Sequence, residues 1–449
     1  MKLRDIIDSP CGLRYMIETL PVASGYSLRY LMDSSSCSCE DEVRDAYAVL
    51  GSFMPIASDG NLTAMLHTEL CGLKNISGTL DRTESGATVD DIELFEIKHL
   101  IMLGRRVSSH LSSAGHSGLF PEMPSLEVPL SVLDPDGNNI ASFYIYDSYS
   151  EELARLRLLI SKESNPDTRE RLMQQEQDEE SRIRVRICDA LRPFVPELRK
   201  LMESLAVLDI SLAKAVQMRE MGLCIPEISS GTTSYKGMYH PYIKSILEKD
   251  GKEFTPIDIS FGDRPVVIIG ANMGGKTVVL KMTALCQYLF SFGMGIPAES
   301  ARIELKRRVF FISGDAQDMT AGLSSFAAEM TAIDSAVRAS ATDGAGMVAM
   351  IDEPARSTNP IEGTALVESL VALLGRRGAA LLLTTHYNVS SGDCDCRRLR
   401  VTGIVNGKMN YRLCPAPDGD VPHEALNVAE SLNISPEWIG EAKKLLKYE

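Results

Sequence analysis

The stretch that most directly suggests chemistry is VVIIGANMGGKTVVLKM, in which an apolar run leads into a glycine-rich turn and an amphipathic segment. Residues Gly270 to Thr277 fit G-x-x-x-x-G-K-[ST], and the loop also contains Gly274 and Gly275. Such a loop surrounds phosphate oxygens with backbone N–H groups, and the helix that follows adds its partial positive charge. Lys276 can then reach the β- and γ-phosphates, while the Thr277 hydroxyl binds magnesium. The pattern predicts a binding site for a nucleoside triphosphate with Mg²⁺.

Two adjacent carboxylates follow a second apolar run, MVAMIDEP. At the exit of a parallel strand, Asp352 can complete the magnesium shell and Glu353 can polarise the attacking water. We therefore expect hydrolysis and not only binding, with a helix cap as the alternative role for Glu353. A third run, LLLTTHYN, reaches His386, which can sense the γ-phosphate or orient the water. A structural role is the alternative for this histidine.

These groups all stand at the ends of apolar runs, so the fold must bring strand ends together. The runs PVVIIG, MVAMID and AALLLTTH alternate with helical patterns, which is typical of a doubly wound parallel sheet with buried strands. The period changes after a stretch rich in proline, glycine and serine, between Ile225 and Tyr239. The sequence predicts an α/β fold with a phosphate-loop domain over residues 231–449.

The preceding residues read as mostly helical. We expect an N-terminal region of unknown role over residues 1–90 and a helical core and lever domain over residues 91–230. Within the latter, EVPLSVLDPDGNNIASFYIYD has two β-rich runs around Pro135 and Gly137, which predicts a small β-hairpin. Ser150 is then expected to cap a helix, and the charged segment after it is expected to form a solvated helical hairpin.

Composition and charge limit the classes of protein to which this chain can belong. The 449 residues include 46 basic and 61 acidic ones, and the formal charge of -15 disfavours non-specific attraction to nucleic acid or anionic lipid. No stretch approaches the roughly 20 apolar residues of a membrane span, and the N-terminus lacks a leader pattern, so we expect a cytoplasmic protein with no membrane partner. Ten irregularly spaced cysteines, including two C-x-C pairs, indicate reduced thiols rather than disulfides or a zinc site.

Together, these motifs resemble the ATPase domain of the MutS family of DNA mismatch repair proteins. GANMGGKT is similar to the family's phosphate loop, DEPARSTNPIEGTAL to its second motif and TTHY to its histidine switch. GIPAESARIEL and GDAQDMTAGLSSFAAEMTA are similar to its linker and signature region. The resemblance places Asn272 at the family's loop asparagine, Phe254 against adenine, and Ser324 at the nucleotide of a partner subunit. It thus implies a homodimeric, Mg²⁺-dependent ATPase with composite ATP sites.

The same resemblance does not identify the load of this ATPase, by which we mean the molecule on which it acts. The sequence resembles a short member of the family, without the mismatch-recognition domain and with only a short turn where the DNA clamp would be inserted. One hypothesis is that ATP binding and hydrolysis rearrange a dimer acting on mismatched DNA. A second is an ATP-driven remodelling or reactivating factor for a protein such as a cobalamin-dependent aminomutase, without DNA binding. A third is a nucleotide-dependent scaffold, against which the Asp352 and Glu353 pair argues.

Overall fold

The computed structural model describes residues 1–270, 275–313, 325–356, 358–390, 395–405, 408–417 and 434–446. Its helices are α1 (Leu3–Ile6), α2 (Leu13–Glu18), α3 (Gly25–Asp33), α4 (Glu40–Ser58), α5 (Gly60–Leu70), α6 (Ser77–Glu84), α7 (Asp91–Ser113), α8 (Glu127–Leu133), α9 (Glu151–Lys162), α10 (Pro166–Leu191), α11 (Val195–Met221), α12 (Pro241–Lys249), α13 (Lys276–Ser291), α14 (Ser325–Asp343), α15 (Pro360–Arg376) and α16 (Pro436–Leu446). Short 3-10 turns span Ser117–Leu119, Pro124–Leu126, Asp147–Tyr149 and Arg192–Phe194.

The strands are β1 (Glu227–Ser229), β2 (Thr233–Met238), β3 (Ile257–Phe261), β4 (Val266–Ile269), β5 (Ser300–Glu304), β6 (Arg308–Ser313), β7 (Met347–Asp352), β8 (Ala380–Thr385), β9 (Arg397–Val405) and β10 (Lys408–Pro415). They form a four-stranded sheet in the order β1-β5-β2-β3 and a six-stranded sheet in the order β10-β9-β4-β8-β7-β6. In the larger sheet every neighbouring pair is parallel except β10 with β9.

The chain divides into two compact units. The sheet-containing unit comprises Met1–Leu20, Ser35–Gly51 and Gln217–Glu449, and the helical unit comprises Pro21–Ser34 and Ser52–Val216. The predicted α/β class with a parallel sheet is confirmed, whereas the predicted three-part division of the chain stays a prediction. Among the residues that the structure covers, no helix combines the length and the apolar character that crossing a membrane requires.

The core of the larger sheet explains why its strands are continuous apolar runs. All four residues of β4 are buried, and Val267 and Ile269 pack in one apolar cluster with α14 and α15. Helix α13 contacts β6, β7 and β8. A strand enclosed in this way needs apolar side chains at every position, because neither of its faces meets water.

The first residues of the chain support the C-terminal end of α13. The Tyr47 hydroxyl donates to the carbonyl of Met294 at 2.9 Å, and its ring stacks on Phe290 with 5.8 Å between centroids. The backbone N–H of Cys37 donates to the Ser291 carbonyl at 2.8 Å. The segments Met1–Leu20 and Ser35–Gly51 therefore complete the sheet-containing unit.

The β-hairpin predicted around Pro135 and Gly137 is wrong. EVPLSVL instead forms α8, which packs against α7 and α10. The residues that α8 buries are Pro129, Leu130 and Leu133, at helical rather than alternating spacing. The residues from 138 to 146 contain no strand.

A buried lysine explains the path of that second run. Lys98 is fully buried, and its ammonium donates to the Asp134 carboxylate, the Ser142 carbonyl and the Tyr146 hydroxyl, each at 3.1 Å. Burying a charge is costly unless it is paired and hydrogen-bonded. The backbone therefore folds around the ammonium, and Ser142 gives its carbonyl to the lysine instead of to a neighbouring strand.

Candidate nucleotide site

The topology aligns the predicted groups at one edge of the larger sheet. Strands β4, β8 and β7 are adjacent and parallel, and their register pairs Ile269 with Thr385 and Asp352 with Thr384. Since the carboxyl ends of parallel strands meet at the same edge, the phosphate loop, the carboxylate pair and His386 all begin there. The sequence-based placement of these motifs at strand ends matches the structure at all three positions.

Lys276 lies at the base of the site. It is the first residue of α13, directly after Gly275, whose φ of 75° lies in the left-handed region that favours glycine. Its ammonium donates to the Gly270 carbonyl at 2.6 Å and lies 3.1 Å from a carboxylate oxygen of Glu353. Only 3% of the Lys276 side chain and 11% of Glu353 are exposed. The ammonium is thus fixed at a helix N-terminus, where an anion is also stabilised by the helix dipole.

Asp352 joins α13 to the ends of β7 and β8. One of its carboxylate oxygens accepts from the Thr277 hydroxyl at 2.8 Å, and the other accepts from the Thr384 hydroxyl at 2.5 Å. Carboxylate and hydroxyl oxygens are the hard ligands that Mg²⁺ prefers, usually together with waters and substrate phosphates. Thr277 and Asp352 therefore fit the predicted magnesium site. Thr384 is a site residue that the sequence reasoning missed.

The backbone at Glu353 is unusual. Its φ is 45°, in the left-handed region that a non-glycine residue rarely adopts. Its N–H donates to both the carbonyl and the hydroxyl of Thr384, at 3.1 and 3.0 Å. The side chain is shared between Lys276 and the exposed Arg356, whose guanidinium lies 3.6 Å from it. The structure thus places the predicted general base beside the predicted phosphate-binding lysine.

His386 directly follows β8. Its imidazole is exposed, and its ring lies 4.2 Å, centroid to centroid, from the ring of Tyr387. Tyr387 itself is buried. The histidine therefore stands at the mouth of the sheet edge, where it can meet bound phosphate or water.

A cavity of about 400 Å³ opens beside the phosphate loop. Gly275, Lys276 and Thr277 form one wall, and the half-buried Phe254 lines the same cavity. Its other lining residues are mostly apolar and come from α12, the segment before β3, β3 itself, α13 and β10: Ile243, Leu247, Glu253, Thr255, Ile257, Val278, Val279, Met282 and Tyr411. Phe254 and the residues from Gly275 to Thr277 therefore share one cavity.

Tyr411 is a second aromatic residue of this cavity, and the sequence reasoning missed it. It belongs to β10, and a Cβ added at Gly275 would lie 2.9 Å from its ring. Its ring therefore covers the first turn of α13. The predicted site residues Asn272, Gly274 and Ser324 lie outside the described residues.

Comparison with known proteins adds an independent finding. Residues 266–397 match the family model of MutS domain V, the ATPase domain of the MutS family. The resemblance predicted from the motifs is confirmed by this match and by the relatives.

Three relatives illustrate the similarity. Endonuclease MutS2 of Caldanaerobacter subterraneus subsp. tengcongensis is 30% identical over 287 residues, which are 61% of this chain and 34% of the relative. Endonuclease MutS2 of Caldicellulosiruptor saccharolyticus is 34% identical over 220 residues, or 48% and 27% of the two chains. DNA mismatch repair protein MutS of an Exiguobacterium species is 30% identical over 207 residues, or 45% and 24%. The matched segment spans about a third or less of each relative.

Proposed function

We propose that this MutS-like protein, which carries the ATPase domain of that family, couples ATP binding and hydrolysis to the rearrangement of a homodimer. The observation that carries the proposal is the convergence of Lys276, Thr277, Asp352 and Glu353 at one sheet edge beside an apolar cavity. A module that only binds nucleotide has no need of the second carboxylate. Family similarity supports the same conclusion.

Each wall of the cavity has a role in nucleotide binding. The apolar part, with Phe254 and Tyr411, takes the base, since aromatic faces stack on planar rings. The loop and Lys276 take the phosphates, and Thr277 with Asp352 would hold Mg²⁺. Bound magnesium neutralises negative charge on the β- and γ-phosphate oxygens. The Thr277 hydroxyl and the Asp352 carboxylate already lie within hydrogen-bond distance of each other, so the site offers the oxygen ligands that Mg²⁺ prefers.

Hydrolysis requires that Glu353 be released to a water molecule. The γ-phosphate offers Lys276 a stronger anionic partner than the carboxylate does, because it carries more charge. As the ammonium turns to the phosphate, the Glu353 carboxylate is freed to accept a proton from the attacking water. His386, exposed at the same edge, orients that water or contacts the γ-phosphate.

The dimer part of the proposal comes from family resemblance. Ser324 would reach the nucleotide of a partner subunit, so that each ATP site is composite. ATP binding would then favour one subunit arrangement and hydrolysis would release it.

We propose DNA as the load, since the relatives are named as an endonuclease and as mismatch repair proteins. The net charge of -15 favours the alternative, a protein load such as a cobalamin-dependent aminomutase, because an acidic surface repels phosphate backbones. Only a DNA load requires attraction to a phosphate backbone, which salt weakens, so the effect of duplex on hydrolysis at different salt concentrations separates the two hypotheses.

The deciding experiment is steady-state ATP hydrolysis without DNA, with matched duplex and with mismatched duplex, each at low and at physiological salt. Stimulation that persists at physiological salt supports a DNA load, and a preference for the mismatch supports repair. Hydrolysis that ignores every duplex supports a protein load. No ATP hydrolysis under any condition, with the protein folded, would contradict the proposed activity itself. Glu353→Ala serves as the variant that binds ATP without turnover.

A further inference from the structure

The backbone turn after Glu353 is held by a side chain to which the mechanism above gives no role. The Tyr387 hydroxyl donates to the carbonyl of Ala355 at 2.7 Å. The same carbonyl accepts from the Thr358 N–H at 3.2 Å. A residue two positions after the general base is therefore fixed by a tyrosine that follows β8.

The turn needs such support because its conformation is disfavoured. Glu353 has a φ of 45° and Ala355 a φ of 60°, so two non-glycine residues only two positions apart adopt left-handed backbone. Backbone of this kind persists only where surrounding contacts over-determine it. Ala355 is also fully buried, which means that water cannot replace either hydrogen bond.

The packing around Tyr387 is built for this contact. A Cβ at Gly363 of α15 would lie 2.3 Å from the Tyr387 hydroxyl oxygen, so only glycine at this position lets the hydroxyl reach Ala355. The N–H of Tyr387 donates to the Thr385 hydroxyl at 3.0 Å, which fixes the tyrosine to the end of β8.

We propose that Tyr387 is a positioning residue for hydrolysis: its hydroxyl clamps Ala355 and thereby holds the Glu353 carboxylate beside Lys276. This inference rests on the proposed ATPase function. The clamp joins the end of β8 to the turn after β7, so a shift of His386 is transmitted to Glu353. Loss of the clamp lets the base leave its place without removing any group that touches the nucleotide.

The test compares Tyr387→Phe with wild type by ATP binding at equilibrium, single-turnover hydrolysis and thermal unfolding. We expect the hydrolysis rate constant to fall about 10-fold or more and the Kd for ATP to change less than about 2-fold, because small misplacements of a catalytic group act on rate rather than binding.

Tyr47→Phe is the matched control. Tyr47 is as buried as Tyr387, at 6% exposed, and its hydroxyl also donates to a backbone carbonyl, that of Met294, which lies just beyond the end of α13 farthest from the loop. The Tyr47→Phe variant should hydrolyse ATP at the wild-type rate. Wild-type rates in Tyr387→Phe would overturn the clamp, and so would equal losses of binding and rate. A wild-type protein without ATP hydrolysis would instead contradict the proposed function.

Discussion

Lys276 and Glu353 form an ion pair inside the candidate site, with 3.1 Å between Nζ and Oε1. The pair is almost entirely removed from solvent, and the Gly270 carbonyl is a further acceptor for the same ammonium. Removing one partner of a buried ion pair costs roughly 3–5 kcal/mol, because the other charge is left without compensation. Each side chain therefore compensates the charge of the other in the nucleotide-free site, and phosphate must compete with Glu353 for the lysine.

The first prediction concerns Glu353→Gln. We expect the variant to bind ATP at least as tightly as wild type, because the amide no longer competes with phosphate for Lys276. Its turnover should fall by about 10² to 10⁴, the usual contribution of a general base. Equilibrium binding and single-turnover hydrolysis measure the two effects separately.

Glu362→Gln is the control, since Glu362 is an exposed carboxylate on the first turn of α15. It should leave both quantities unchanged. Lys276→Ala, by contrast, should weaken ATP binding. Normal hydrolysis in Glu353→Gln would remove the assignment of Glu353 as the base.

The second prediction concerns the residue that the sequence reasoning missed at the metal end of the site. Thr384 is fully buried, and its hydroxyl both donates to Asp352 and accepts from the Glu353 N–H. Thr384→Val keeps the shape and removes both bonds, which should cost about 1–3 kcal/mol of unfolding free energy. It should also raise the Mg²⁺ concentration needed for half-maximal hydrolysis, because Asp352 loses the group that orients it.

A magnesium titration of hydrolysis, with thermal unfolding alongside, tests this. Thr283→Val is matched to it, since Thr283 is equally buried but donates to the Val279 carbonyl within α13. That carbonyl already takes part in the helix, so the control should lose less stability and keep its magnesium midpoint. An unchanged midpoint in Thr384→Val would separate Thr384 from the metal.

The parts of the site predicted from sequence share one physical property. The phosphate loop that leads to Lys276 follows one apolar run, Asp352 and His386 stand at the ends of two others, and parallel strands bring their carboxyl ends to one edge by geometry alone. Tyr411 follows no such rule: it lies on an antiparallel strand, and its position over Gly275 depends on how β10 crosses the edge of the sheet. When long-range packing decides where a side chain lies, the neighbouring sequence does not indicate that the residue belongs to the site.

Long-range packing also decides the structure of the segment for which a β-hairpin was wrongly predicted. The run EVPLSVL has apolar residues at both alternating and helical spacing, so its period is ambiguous. The burial of Lys98 favours the helix over the hairpin, because Asp134 and Tyr146 both hydrogen-bond to its ammonium. A lysine that is fully buried is rare, and its partners lie tens of residues away along the chain.

The third prediction concerns Gly275→Ala. The alanine would have to adopt left-handed backbone, with a φ of 75°, and its Cβ would lie only 2.9 Å from the Tyr411 ring. Left-handed backbone alone costs an L-residue about 1–2 kcal/mol. Because this residue directly precedes α13 and belongs to the phosphate loop, we expect ATP to bind at least about 10-fold more weakly, the effect of 1.4 kcal/mol.

A double-mutant cycle with Tyr411→Ala separates the two causes, since it relieves the contact and leaves the backbone cost. The loss caused by Gly275→Ala should be smaller in that background. Gly78→Ala is the control, because Gly78 is exposed on α6 with open space around it, and it should not change ATP binding. Equal losses in both backgrounds would show that Tyr411 does not press on the loop.

The last prediction concerns pH. His240 is 2% exposed and caps α12, with its Nδ1 accepting from the Ile243 N–H at 3.5 Å while the ring packs against Gly12. Burial, with a smaller contribution from the positive charge of Lys281, lowers the pKa of His240 from 6.5 to about 4, against hydrogen bonding to the Cys11 carbonyl. The folded protein therefore binds this proton less readily than the unfolded chain.

The sign follows from linkage. Between about pH 6.5 and pH 4 the unfolded state holds the proton and the folded state does not, so stability falls as pH falls. The contribution is fully present above about pH 6.5 and is lost by about pH 4, a change of roughly 3 kcal/mol. Since Ile243 and Leu247 of α12 line the cavity, nucleotide binding should weaken over the same range.

Thermal unfolding from pH 7.5 to pH 4.5 measures this against His240→Asn, which keeps a strong helix cap without a titrating ring. The variant should be less stable than wild type at pH 7.5, because it leaves space beside Gly12, and it should lose less stability on acidification. His67→Gln, at an exposed histidine, should follow the wild-type pH profile. Because carboxylates titrate in all three proteins, the difference between profiles reports His240, and parallel profiles for wild type and His240→Asn would contradict its role.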